Sequence, residues 1–118
     1  DVDIIRAGIE CAIVRSGNTP YFLDLDKHND NIFNRMLAEI VGCKFLIADF
    51  TTQNPGVYYE AGYAKALGKT VIHTCKQPDF DNVHFDIKQT QFVIWETQDD
   101  LALKLYEQIK QSNLEGVN

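Results

Sequence analysis

The stretch Lys44–Cys75, KFLIADFTTQNPGVYYEAGYAKALGKTVIHTC, decides the fold. Its opening, Lys44–Phe50, is a near-continuous apolar run too short for a helix and of the kind found in a strand covered on both faces, so it reads as a central strand. Asn54, Pro55 and Gly56 then open a helix, because Asn caps well and Pro is tolerated at the first helical position. That helix runs to Leu67, with Gly68 closing it. The small residues Ala61, Gly62, Ala64 and Ala66 read as its inward face, which would bring it close to the sheet. Lys69–Cys75 (KTVIHTC) is a second β-prone run.

Working outward, Ile5, Ile9, Ala12 and Ile13 fall at helical spacing over Val2–Arg15, and Gly17 with Asn18 supplies a left-handed stop. Thr19–Leu25, with Tyr21, Phe22 and Leu23 after Pro20, reads as a short strand. The pairs Ile32/Phe33, Met36/Leu37 and Ile40/Val41 recur every four residues as an amphipathic helix that Asp30 or Asn31 can cap. Gln91–Trp95 is a last strand. Thr97 caps a final helix to Gln111, with Asp99 and Asp100 in its first turn and Leu101, Leu105 and Ile109 as its stripe.

Strands alternating with helices predict an α/β fold with a doubly wound, mostly parallel sheet and right-handed crossovers. The flavodoxin-like strand order 2-1-3-4-5 would need a first, central strand before the Val2 helix. The sequence shows none, so roughly 10 to 20 further residues are expected upstream. Residues 1–118 are read as a single domain that is incomplete at its N-terminus.

The composition is that of an ordinary globular chain: 45% apolar, 24% charged, 7 Gly and 3 Pro. It excludes collagen-like, low-complexity and disordered classes. A formal net charge of −6 repels phosphate backbones and argues against a nucleic-acid polymer as partner. No apolar run is long enough to cross a bilayer, and no signal-peptide pattern is present. Cys11, Cys43 and Cys75, odd in number and in apolar contexts, read as buried free thiols in a cytoplasmic protein.

In open parallel sheets, ligands bind at the carboxyl ends of the strands. Asp49 lies at such an end, a polar loop of Thr51, Thr52, Gln53 and Asn54 follows, and Glu60 comes in the second turn of the next helix. An Asp ending a strand often caps a loop, and a Glu early in a helix often answers the macrodipole. Glu60, however, sits among Val57, Tyr58, Tyr59, Ala61, Gly62 and Tyr63, an uncharged neighbourhood in which a bare carboxylate costs energy unless it has a use. His73 and Cys75 alternate onto one face of a strand but lack a third ligand of suitable spacing, so no metal is expected. His84 and Asp86, with Asp79 and Asp81, fall in a long connection that reads as a lid or a subunit contact. Trp95 reads as core.

Phe45–Ile72, FLIADFTTQNPGVYYEAGYAKALGKTVI, resembles the signature of the nucleoside 2-deoxyribosyltransferase-like family, and weaker similarity extends over most of the chain. Departures are Ala61 where Leu is usual, Thr70 where Pro is usual, and the absent first strand. The resemblance implies a flavodoxin-like enzyme that transfers or hydrolyses the N-glycosidic bond of a nucleoside or nucleotide, needs no cofactor, and assembles as a homodimer or larger. It casts Glu60 as the nucleophile and Asp49 as the group that protonates or holds the departing base. It also casts Thr51, Asn54, Gly56, Tyr59 and Tyr63 as substrate-binding residues, though aromatics on a sheet-packed helix are more often core. Breaking such a bond builds positive charge on the sugar and negative charge on the base, which a carboxylate pair can oppose.

Two other readings use the same chain. Toll/interleukin-receptor-like NAD hydrolases share the sheet order and place a Glu on the equivalent helix, but only Val57 and Tyr58 stand where their Trp would precede Glu60. A non-catalytic nucleotide-binding or oligomerising module is the third.

Overall fold

The computed structural model describes residues 2–23, 30–51, 55–83 and 91–116. In chain order the elements are α1 (Val2–Arg15), α2 (Asp30–Gly42), β1 (Phe45–Asp49), α3 (Pro55–Ala66), β2 (Thr70–Lys76), a 3-10 turn (Gln77–Asn82), β3 (Phe92–Trp95) and α4 (Gln98–Gln111). The expected fold class is the one seen: the three strands form a parallel sheet in the order β1-β2-β3, with helices on both faces.

Helix ends follow local chemistry. Three helices close with the same pair of hydrogen bonds around a left-handed residue: Gly17 (φ 84°) after α1, Gly68 (φ 78°) after α3 and Asn113 (φ 57°) after α4. In each, the next N–H reaches back to the carbonyl five residues earlier, Asn18 to Ile13, Lys69 to Ala64 and Leu114 to Ile109. At the start of α4, Thr97 is the cap, its hydroxyl accepting from the Asp100 N–H. Pro55 takes the first position of α3.

The strands' two-residue alternation sorts the core into two layers. Phe45, Ile47, Ile72, Val93 and Trp95 face α1 and α4, where Ile9, Ala12, Leu101, Leu105 and Ile109 are buried. Leu46, Ala48, Val71 and Cys75 face α2 and α3, against Met36, Ile40, Ala61 and Ala64. The α1–α4 contact is close at Gly8, where an added Cβ would lie 2.8 Å from Leu101 Cδ2 and 3.2 Å from the Gln98 carbonyl. Leu101 is fully buried and has nowhere to go. Gly8→Val is therefore expected to cost about 2 kcal/mol in chemical denaturation, overpacking outweighing the gain of about 0.5 kcal/mol in helix propensity.

Several expectations are corrected. Among the described residues β1 is an edge of the sheet rather than its centre, which β2 occupies. Thr19–Leu23 is not a strand: among the described residues it joins no ladder, and propensity alone cannot hold a strand without a partner. The remainder of that run, Asp24 and Leu25, lies outside the described residues, as do the side chains of Ile32 and Phe33 and the residues His84 and Asp86. Gly62 and Ala66 are exposed, because the helical period that buries Glu60, Ala61 and Ala64 turns them outward. Val41 is likewise exposed. Of the three thiols only Cys75 is buried; Cys11 is exposed on the side of α1 away from Ile9 and Ala12, and Cys43 is half-buried. Among the described residues no helix is long and apolar enough to cross a membrane.

Candidate active site

Asp49 ends β1 at the carboxyl edge of the sheet and ties all three strands together. Its Oδ1 accepts from the Thr51 N–H at 2.9 Å. Its Oδ2 accepts from Thr74 Oγ1 on β2 at 2.5 Å and from Trp95 Nε1 on β3 at 3.1 Å. Register explains the first of the Oδ2 bonds, since Asp49 and Thr74 are paired residues of neighbouring strands. Thr51, buried, accepts from the Lys76 N–H at 3.0 Å and so fastens the following loop to β2.

Glu60 behaves differently. It is 8% exposed, and no hydrogen bond or ion pair meets it among the described residues. Burial pushes its carboxyl up to about 7, because the charged form loses its hydration without gaining a partner. Glu60 stands one turn after Val57 on α3, and both face the same space as Asp49.

That space is a cavity of about 540 Å³ along β1. Phe45, Leu46, Ile47, Ala48 and Asp49 form one long wall, and Thr19, Tyr21, Phe22 and Leu23 contribute to the other. Ile9 and Ile13 enter from α1, and Glu39 and Ile40 from α2. Asp49 belongs to the α1/α4 face of the sheet, whereas Glu60 projects from α3 on the opposite face. Both residues nevertheless line the one cavity.

Of the residues singled out in the sequence, the structure thus brings Asp49 and Glu60 to the cavity. Thr51, Gly56, Tyr59 and Tyr63 are not in its walls: Tyr59 is 49% exposed, and Tyr63 packs with Met36, Ile40 and Ala64 between α2 and α3. Asn54 lies outside the described residues. Thr74 and Trp95, which hold Asp49, were not visible as site residues in the sequence. Their only signal is that each is a donor, Thr74 one strand and Trp95 two strands away from Asp49, which requires knowing the sheet order.

His73 points to the α3 face, stacked on Phe50 (5.6 Å between ring centroids) and tilted against Phe92 (5.2 Å). Burial, helped by the charge of Lys65, lowers its pKa and keeps the ring neutral. Among the described residues no three His, Cys, Asp or Glu side chains are grouped to hold a metal.

Because the native state holds a proton on Glu60 that the unfolded chain, at an ordinary carboxyl value of 4.5, has released, stability falls as pH rises from about 4.5 to about 7. The loss is at most about 3 kcal/mol. His73 acts in the opposite window, since the unfolded imidazole takes up a proton below 6.5 that the native one refuses, so stability falls there as pH drops. Glu60→Gln removes the first effect alone. Urea midpoints of this variant are expected to exceed wild type at pH 8 and to converge with it near pH 4.5; parallel curves would mean that Glu60 is not desolvated.

No protein-family model and no curated protein sequence matches the chain. Among solved structures, the chain is similar to the CMP N-glycosidase BcmB of Clostridium botulinum, with 18% sequence identity, a TM-score of 0.69, and 86% of this chain and 85% of that chain covered. At that identity the likeness concerns the fold: the three parallel strands and their flanking helices are those of a flavodoxin-like arrangement.

Proposed function

We propose that the protein cleaves or transfers the N-glycosidic bond of a nucleoside or nucleotide, with Glu60 as the nucleophile. The observation that carries this reading is a buried carboxylate that no described residue meets, in a cavity at the carboxyl edge of a parallel sheet that Asp49, held by three donors, also lines. The similarity to a structure named for N-glycosidase action on CMP supports the reading at the level of the bond. The family signature over Phe45–Ile72 supports the roles of Glu60 and Asp49.

In this reaction a Glu60 oxygen forms a bond to the anomeric carbon while the bond to the base nitrogen breaks, its electron pair leaving with the base. The ionised carboxylate also opposes the positive charge that grows on the sugar. Water resolves the glycosyl–Glu60 ester in hydrolysis, and a second base resolves it in transfer, as in retaining glycosidases. Asp49, cast as the group that protonates or holds the departing base, has three donors on its two oxygens, which supports the holding role.

The test incubates the protein and Glu60→Ala with deoxynucleosides, deoxynucleoside 5′-monophosphates and NAD, and detects free base and nicotinamide. Base release lost in the variant supports the proposal. Nicotinamide release alone would replace it by NAD hydrolysis, and silence on every substrate by a binding role.

A further inference from the structure

On the reaction proposed for Glu60, negative charge gathers on the departing base, and neither carboxylate of the site can oppose it. Glu60 is engaged with the sugar, and Asp49 already accepts from three donors. A cation at the carboxyl edge of the sheet would serve this charge. Among the described lysines, Lys44 and Lys69 stand at strand starts, and Lys65 stands in the last turn of α3. Lys104 is taken by Asp100 at 3.3 Å and by the Ile94 carbonyl at 2.9 Å. Lys76 closes β2 at the required edge.

Pairing places Lys76 more closely. Asp49 is level with Thr74 in the ladder, and alternation returns the Lys76 side chain to the same face of β2, about 6.6 Å farther along the strand. It therefore stands just beyond the Thr74–Asp49 hydrogen bond, on the face that Asp49 occupies. Its backbone is pinned, the N–H donating to Thr51 Oγ1 at 3.0 Å. Its ammonium is held weakly: Nζ lies 5.8 Å from the centroid of the Trp95 ring, near the limit of a cation–π contact, and the same indole donates to Asp49. No carboxylate among the described residues lies within ion-pair reach of Nζ, although the chain has 17 acidic side chains against 11 basic. A half-buried ammonium without a counter-ion in so acidic a chain is available for a ligand.

We propose that Lys76 is a catalytic residue of that reaction, its ammonium donating to the departing base while Asp49 holds it. As the electron pair of the broken bond leaves with the base, one proton passes from Nζ to the base, and the neutral amine recovers a proton from water. The ammonium rests outside the wall of the cavity, and its flexible four-carbon stem carries it from the Trp95 ring to the base. The inference rests on the N-glycosidic reading and adds the group that answers the charge on the base.

Lys76→Met keeps the pinned backbone and the stem and removes the charge. On a deoxynucleoside or its 5′-monophosphate, kcat/KM for base release is expected to fall by about 10²-fold or more. On the 4-nitrophenyl deoxyriboside that matches it in the 5′ group, whose leaving group needs no proton, the fall is expected to be under about 3-fold. Arg6→Met, which removes an exposed cation from over the Phe22 ring, should leave both rates unchanged. Equal losses with both leaving groups would make Lys76 a structural residue or a phosphate contact. No loss, or the same loss from Arg6→Met, would mean that the base departs without it. With wild-type base release intact and abolished in Glu60→Ala, any of these results overturns the proposal alone. Base release absent from the wild type, or surviving in Glu60→Ala, overturns the reading of Glu60 and this proposal with it.

Discussion

On the proposed reaction, Glu60→Gln is expected to lower base release by about 10³-fold or more while the protein remains folded, because the amide keeps the shape of the side chain but can neither attack carbon nor carry charge. Its effect on pH dependence is the more searching measurement. A nucleophile must be ionised, and the Glu60 carboxyl is pushed up to about 7, so kcat/KM in the wild type should rise with pH through that value and level off above it. The opposite slope, a fall above pH 7, would make Glu60 the proton donor to the base and leave the nucleophile unassigned. The variant should show neither limb.

Asp49→Ala should act on stability instead, lowering it by about 3 to 5 kcal/mol in urea denaturation. The size follows from what is orphaned: the hydroxyl of fully buried Thr74, the indole N–H of Trp95, which is 1% exposed, and the Thr51 amide all lose their acceptor together. Each buried unsatisfied donor costs about 1 to 3 kcal/mol. Asp49→Asn, which presents an amide N–H₂ to donors, should be intermediate. The two carboxylates thus move stability in opposite directions, since neutralising Glu60 stabilises above pH 7 and neutralising Asp49 destabilises. A loss under about 1 kcal/mol for Asp49→Ala would refute its role as the knot of the three strands.

Much of the fold is legible in the sequence where the signals are local. Gly17, Gly68 and Thr97 mark helix ends through chemistry contained within a turn, and Leu101, Leu105 and Ile109 keep a helical period through a fully buried stripe. What depends on the sheet order is not legible. The apolar run Phe45–Asp49 looks the same whether its strand is central or at an edge, and Thr19–Leu23 looks like a strand because propensity does not report whether a neighbour is there. The site divides along the same line. Glu60 is conspicuous as a carboxylate in the uncharged run Val57–Tyr63, whereas Asp49's partners on β2 and β3 lie 25 and 46 residues away and meet it only through strand pairing.

Trp95 is the single tryptophan of the chain, and its indole N–H ends on Asp49 beside the cavity. The protein therefore carries its own optical probe. Emission from a buried indole responds to its polar contacts, here the Asp49 carboxylate and the Lys76 ammonium 5.8 Å from the ring centroid, so a change on titrating a nucleoside into the unlabelled protein reports binding near Asp49 without a coupled assay or turnover.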